Sequence, residues 1–385
     1  MNTKKINVAI VGLSFGLEFV GIYLKHPNVD KVYVVDQNEK ILKIAQDRYS
    51  IPDEQCIPEF EQVLNIPEIH AVHLVTPPAT HAPFSVKVLN AGKHCGCTIP
   101  MGMSIEELED VIRARRRSGK NYMFMETTIY QREFLYMKEL YDKGEFGRLQ
   151  YMTCAHYQDM EGWPEYWKGF PPLMHPTHAV GPCLMLAGHL PDKVYARGSG
   201  KVRDELAEKY GCPFAFESAF ISLKDCDITI EMERFLYGVA RSYSECFRIY
   251  GENMSFEWQQ LWNEDPVLYT RVGSVLDVTN RGSEIREARI HIPDYAHLLP
   301  EEIAPFTTNT VYTNENTHLS FTQGGGHGGS HPHLVHEFIR SIVEERPCYI
   351  DDIMGAYWTG VGICAHESAM KGGEVICIPR FEDVK

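Results

Sequence analysis

The stretch "MHPTHAVGPCLMLAG" sets His175 three residues before His178, with Gly188 ten residues beyond His178 where a helix would end. An imidazole near neutral pH can take the hydroxyl proton of a secondary alcohol while a bound cofactor takes the hydride, so His178 is the candidate general base. A second group, "QGGGHGGSHPH", places His327 among glycines that let the backbone approach a ligand closely, followed by His331 and His333. A zinc site needs three protein ligands, often with a carboxylate. The pair His175-x-x-His178 supplies two, so His175 and His327 are read as hydrogen-bonding contacts and no metal is expected. "YQDMEGWPEYWKG" gathers Tyr157, Trp163, Tyr166 and Trp167. Such aromatics suit a sugar ring or a flat leaving group, and equally a core or an interface.

Hydride transfer needs a cofactor, and the first residues offer a place for one. In "VGLSFGLEFVGIYL" the turn Gly12-x-Ser14-Phe15-Gly16-Leu17 stands where a dinucleotide fold carries G-x-G-x-x-G, in degraded form. Asp36 ends the next apolar run, twenty residues past Gly16. A carboxylate there accepts ribose hydroxyls and repels a 2′-phosphate, which predicts NAD and not NADP. Glu126 closes the last such run, where it can orient His178, touch the nicotinamide or bind a hydroxyl; the plainer alternative is a salt bridge to Arg132.

The elements that must position these groups alternate. Runs at 6–12, 31–36, 71–76, 94–98 and 122–126 read as buried parallel strands, with helices near 15–25, 38–47, 78–91 and 104–118 between them. Ser104 with Glu107 forms a capping box for the last of these. This is a doubly wound α/β domain. After a helix at about 130–142, longer runs at 148–160, 214–223, 227–238, 244–251 and 254–261 alternate apolar with polar residues. They predict an open, mostly antiparallel sheet covered by a helix at 178–187. Helices are expected at 333–345 and 351–370. The domains are read as 1–125, binding NAD, and 126–385, an α+β domain for substrate and oligomerisation whose tail packs back on the first.

Composition sets the outer limits. The 385 residues carry a formal charge of −15, which repels phosphate backbones and argues against nucleic acid as a partner. The "RARRR" run at 113–117 reads as a solvated helix face. Eleven cysteines without a framework of pairs fit a reducing compartment, and no run is long enough for a membrane span, so a cytoplasmic protein is expected.

"LVTPPATHAPFSVKVLNAGKHCGCTIP", with Thr76-Pro77, His81 and "AGKH" before the next strand, resembles the Gfo/Idh/MocA oxidoreductases over essentially the whole chain. The resemblance implies a Rossmann domain followed by an open-sheet substrate domain, and oxidation or reduction of sugars or cyclitols. It also implies that Thr76, Pro77, His81, Cys97 and Thr98 approach the cofactor, and it makes His178 the match to the catalytic histidine. Two signatures are absent: Ile99 stands where the family has lysine, and Met174 where it has aspartate, with Pro176 at the family's glycine. "HPTHAVGP", "METTIYQREFLYMKELYDKGEFGRL" and "GGGHGGSH" resemble a branch of NAD-dependent glycosidases and bacterial glucoside 3-dehydrogenases that keeps an apolar residue at the lysine position, and there Met125-Glu126-Thr127 matches a motif near the cofactor.

The resulting expectation is an NAD-dependent dehydrogenase oxidising a ring hydroxyl of a sugar or glycoside, at C3, as a homo-oligomer. His178 and Glu126 are its catalytic candidates. Gly12, Ser14, Phe15, Gly16, Asp36, Thr76, Pro77, His81, Cys97, Thr98 and Thr127 are its cofactor contacts, and Tyr157, Trp167, His175 and His327 its substrate contacts. Two alternatives stand beside it. One is a glycosidase working by oxidation and elimination, with Tyr157 or His175 as the second base; the other is a non-catalytic NAD-holding sugar sensor.

Overall fold

A computed structural model describes residues 4–258, 260–261, 264–274, 276, 281–308 and 326–385. It separates into two compact units: Met1–Tyr130 with Asp294–Thr359 and Arg380–Lys385, and Gln131–Pro293 with Gly360–Pro379. Where the sequence reading draws a single boundary near 126, the first unit thus also draws on residues from the C-terminal third.

In the first unit the chain runs β1 (Ile6–Val11), α1 (Leu13–Lys25), β2 (Val29–Val35), α2 (Glu39–Tyr49), β3 (Cys56–Ile57), α3 (Phe60–Leu64), β4 (Ala71–Leu74), α4 (Pro78–Asn90), β5 (His94–Cys97), α5 (Ile105–Ser118) and β6 (Tyr122–Phe124). The six strands form one sheet in the order β3-β2-β1-β4-β5-β6, all parallel. Its strands are fully buried runs such as INVAIV and AVHL, the pattern of a sheet covered on both faces. Helix α5 starts as expected: Ser104 Oγ accepts from Glu107 N at 3.2 Å, and Glu107 Oε2 accepts from Met103 N at 2.6 Å, one residue earlier than an ideal capping box.

The second unit holds α6 (Arg132–Asp142), β7 (Leu149–Tyr157), α7 (Thr177–Ala187), β8 (Pro191–Ser199), α8 (Asp204–Tyr210), β9 (Phe216–Leu223), β10 (Thr229–Phe235), β11 (Ser244–Gly251), β12 (Met254–Trp258), β13 (Val267–Arg271) and β14 (Ile285–Arg289). Later in the chain come the turn α9 (Gly326–Gly329), α10 (His331–Val343), α11 (Asp352–Met370) and β15 (Ile376–Cys377). Among the described residues nine strands make the second sheet, β14-β13-β12-β11-β7-β10-β9-β8-β15. Among the described residues only β7 and β10 pair in parallel in this sheet; the other pairings are antiparallel. Along β9, Glu217, Ala219, Ile221 and Leu223 are buried and alternate with the exposed Phe220 and Ser222, so one face is covered, and α7 packs on it over β7, β10 and β11.

Strands β8, β13 and β14 and helix α8 carry too little signal to be predicted. β8 turns only Val194 and Ala196 into the core along its middle, and every residue of β14 is exposed. The expected strand at 254–261 ends at Trp258, and Gln259 and residues 323–325 of the glycine-rich loop lie outside the described residues. Among the described residues no helix is long and apolar enough to cross a membrane.

Candidate active site

In the first unit the sheet order reverses between β1 and β4, the place where doubly wound sheets bind ligands at the carboxyl ends of their strands. Gly12 follows β1 with φ +88°, and a Cβ there would lie 2.3 Å from the Val75 carbonyl oxygen, so only glycine fits. A Cβ on Gly16 would stand 3.1 Å from Ile10 Cγ2, which lets α1 lie close on its strand. Asp36 follows β2. Its Oδ2 accepts from Leu13 N at 2.7 Å and its Oδ1 from Asn38 N at 2.8 Å, so the carboxylate is oriented at the start of α1. Beside it opens a cavity of about 280 Å³ lined by Gly12, Asp36, Phe60, Thr76, Pro77 and Thr80 among others. A dinucleotide fits this set: a glycine cradle, helix-end amides and a carboxylate with lone pairs left for ribose hydroxyls.

The other expected cofactor residues divide into lining and support. Thr76 and Pro77 line the cavity. His81 is buried, its two ring nitrogens each 2.6 Å from a carbonyl oxygen, of Pro100 and of Thr76, so it ties two strand ends together. Thr98 Oγ1 donates to Leu74 O at 3.1 Å. Cys97 is buried, and burial pushes its thiol up to about 12, which removes it as a nucleophile. Ser14 lies in the first turn of α1, and Thr127 is buried just past Glu126. Glu126 is fully buried, and its Oε1 accepts from the amide and hydroxyl of Thr128 at 2.9 and 2.8 Å. Ile99 is 8% exposed. His327 falls in this unit, its ring 5.6 Å from that of Phe15 in the Gly12–Gly16 turn. Its φ is 38°, and its Nδ1 lies 3.1 Å from His331 Nε2.

The second unit collects the remaining candidates under α7. Gly188 ends that helix in the left-handed region with φ 63°, as the sequence spacing required. His175 and His178 stand with ring centroids 5.5 Å apart, His156 lies 4.9 Å from His178, and Trp167 lies 5.2 Å from His175. Tyr157 does not join them. Alternation along β7 turns it to the opposite face from His156, where it stacks on Phe235 and its hydroxyl donates to Glu233.

Four residues at this site were not anticipated. Glu217, Arg234, His156 and Glu245 are direct cross-strand neighbours in one row over β9, β10, β7 and β11. All four are buried. Arg234 donates through Nη1 to His156 O at 2.8 Å, and its Nη2 lies 3.0 Å from His175 Nδ1. Glu245 accepts from Gln131 Nε2 through Oε2 and from the Tyr243 hydroxyl through Oε1, and that Oε1 stands 3.9 Å from His178 Nε2. Glu217 accepts from Leu173 N and pairs with His366, both at 2.8 Å. The signal was present in the register: Arg234 shares its inward face with Ile230 and Met232, where an unpaired charge would be prohibitive. The ligand atoms of His156, His178 and Glu245 lie within 4.8 Å of one another, a spacing a metal can use, but both Glu245 oxygens already accept hydrogen bonds.

The two histidines therefore stand in opposite electrostatic settings. Arg234 only donates, so His175 Nδ1 must accept and its proton sits on Nε2. That ring is a donor beside a cation, whereas His178 stands beside a carboxylate.

Residues 6–126 match the family model GFO_IDH_MocA, described as an oxidoreductase family with an NAD-binding Rossmann fold. A "Glycosyl hydrolase family 109 protein" from Stenotrophomonas maltophilia is 20% identical over 98% of this chain and 89% of its own length. An "Alpha-N-acetylgalactosaminidase" from Shewanella oneidensis and a "Glycosyl hydrolase family 109 protein" from Shewanella baltica are each 29% identical over 32% of this chain, which spans 29% of their length. A levoglucosan dehydrogenase solved with NADH and levoglucosan superposes with a TM-score of 0.76 at 16% identity, covering 98% of this chain and all of that one. A UDP-N-acetylglucosamine 3-dehydrogenase from Acidithiobacillus ferrooxidans gives 0.67 at 16% identity, over 95% of this chain and 98% of its own. Residues 6–126 are thus an NAD-binding Rossmann domain similar to that of the Gfo/Idh/MocA oxidoreductases, and the cofactor is NAD.

Proposed function

We propose that the protein oxidises a ring hydroxyl of a sugar or glycoside, at C3, with His178 as the base. The observation that carries the reading is the split between the two histidines of α7, one beside Glu245 and one beside Arg234. His178 takes the hydroxyl proton as the carbon–hydrogen bond gives up its electron pair, and a ketone forms. NAD, when bound, supplies the hydride acceptor. His175, holding its proton on Nε2, donates to a neighbouring hydroxyl, and Trp167 offers the ring a flat apolar surface. Glu126 and His327 are further contacts in this reading. The structural relative named as a 3-dehydrogenase supports C3 as the position.

A second reading, cleavage by oxidation and elimination, is favoured by the glycosyl hydrolase relative. It needs another base for the proton next to the ketone. The two candidates are committed elsewhere, Tyr157 to Glu233 and His175 Nδ1 to Arg234.

An absorbance scan of the purified protein against a panel of glycosides tests both readings. A growing band of reduced nicotinamide without release of the aglycone is expected. Release of the aglycone with no net reduction would select the second reading, and neither signal on any sugar would leave the protein a sensor.

A further inference from the structure

We infer that Glu245 is the positioning residue that decides which nitrogen of His178 acts as the base. The inference rests on His178 being that base, and the geometry around Glu245 carries it. The carboxylate is fully buried on β11, held between the Tyr243 hydroxyl and the Gln131 amide, and presents Oε1 to His178 Nε2 at 3.9 Å. Nothing at Met174, just ahead of α7, supplies a carboxylate instead. A negative charge on that side holds the ring proton on Nε2 and leaves the lone pair on Nδ1. When Nδ1 takes the substrate proton the ring becomes a cation, and Glu245 lies close enough to stabilise it. His156, between Glu245 and Arg234 in the cross-strand row, separates the acidic neighbour of His178 from the basic neighbour of His175.

Among the described residues, titratable groups approach this pair from several elements. His175 precedes it on the same segment, His156 reaches it from β7, and Tyr243 precedes β11. On α6, Glu133 lies 3.8 Å from Arg132 and is pushed up to about 7 by burial, with Glu245 adding to the rise. Glu133 is therefore a competing source of ionisation near neutrality.

The test is a pH–rate profile of the holoenzyme on a glycoside that reduces NAD, with wild type, Glu245→Gln, Glu245→Asp and Glu133→Gln. In Glu245→Gln the rising limb should move to lower pH and kcat should fall roughly 10- to 100-fold with KM nearly unchanged, less than the loss for a fully hydrogen-bonded orienting carboxylate. Glu245→Asp should recover part of kcat and of the limb, and Glu133→Gln should leave the limb in place. A limb that follows Glu133 and ignores Glu245 overturns the inference. Nitrogen-15 spectra of the histidine rings give a readout that needs no turnover: His178 should carry its proton on Nε2 in wild type, and a proton on Nδ1 sinks the proposal. If His178→Ala keeps the limb, the base reading itself fails; if it loses the limb while Glu245→Gln keeps the wild-type profile, only the role of Glu245 falls.

Discussion

Each unit of the molecule buries one glutamate beside a histidine in the first turn of a helix, and the two pairs come out differently. In the first unit Glu18 Oε2 lies 3.3 Å from Nδ1 of His331, the first residue of α10, and neither carboxyl oxygen has an aligned hydrogen-bond donor. The rings of Phe15 and Phe19 pack against His331. Burial pushes Glu18 up to about 8 and His331 down to about 3, so both are neutral at pH 7. In the second unit Glu245 faces His178, but a hydroxyl and an amide donate to it. Under the proposed reading, the donors around a buried carboxyl, and not its distance from an imidazole, separate a structural contact from an acid–base couple.

The largest effect should come from the second pair. His178→Ala should cost roughly two to four orders of magnitude in turnover, the usual worth of a general base, with NAD affinity unchanged by titration. His175→Ala should raise KM more than it lowers kcat, because that ring donates and does not accept. Steady-state kinetics between pH 5 and 9 decide it; a histidine-free variant with a normal rising limb would break the comparison.

The first pair should show itself in stability instead. A carboxyl raised from 4.5 to about 8 contributes stability that is fully present below pH 4.5 and lost as pH rises through 8. The swing is about 5 kcal/mol, and Glu18→Gln should abolish it, so the mutant gains on wild type in chemical denaturation as pH rises. His331, lowered from 6.5 to about 3, works the other way, losing stability as pH falls below 6.5. A wild-type minus Glu18→Gln difference that is flat from pH 4.5 to 8 would place the ionised form in the fold.

Asp36→Ala should bring the affinities for NAD and NADP together, by roughly tenfold, the weight of a hydrogen bond to a charged group. Calorimetric titration with both cofactors reads this, and equal affinities in wild type would remove Asp36 from the ribose. The smallest change is expected at Ile99. Its side chain is buried, so Ile99→Lys adds a charge with no partner and turnover should not rise.

Most of the first unit was legible because parallel strands buried on both faces are written as apolar runs, and its turn because Gly12 and Asp36 answer strict steric and charge demands at fixed places. The second unit was half legible. Alternation marked β7 and β9 to β12, while β8 and β14 bury too little to announce themselves. Tyr157 was grouped with Trp167 from their closeness in the chain, whereas the strand turns it to the face opposite His156.

The chain alone determined the alternation of strands and helices in the first unit, the NAD cofactor and the spacing of His178 ahead of Gly188, since each follows from local periodicity or from a local motif. Tertiary structure decided the charges that tell His175 from His178. Arg234 and Glu245 come from strands more than fifty residues downstream, and only the lateral pairing of β10, β7 and β11 sets them on either side of His156. Such pairing is a property of the sheet's register, and no local spacing along the chain encodes it.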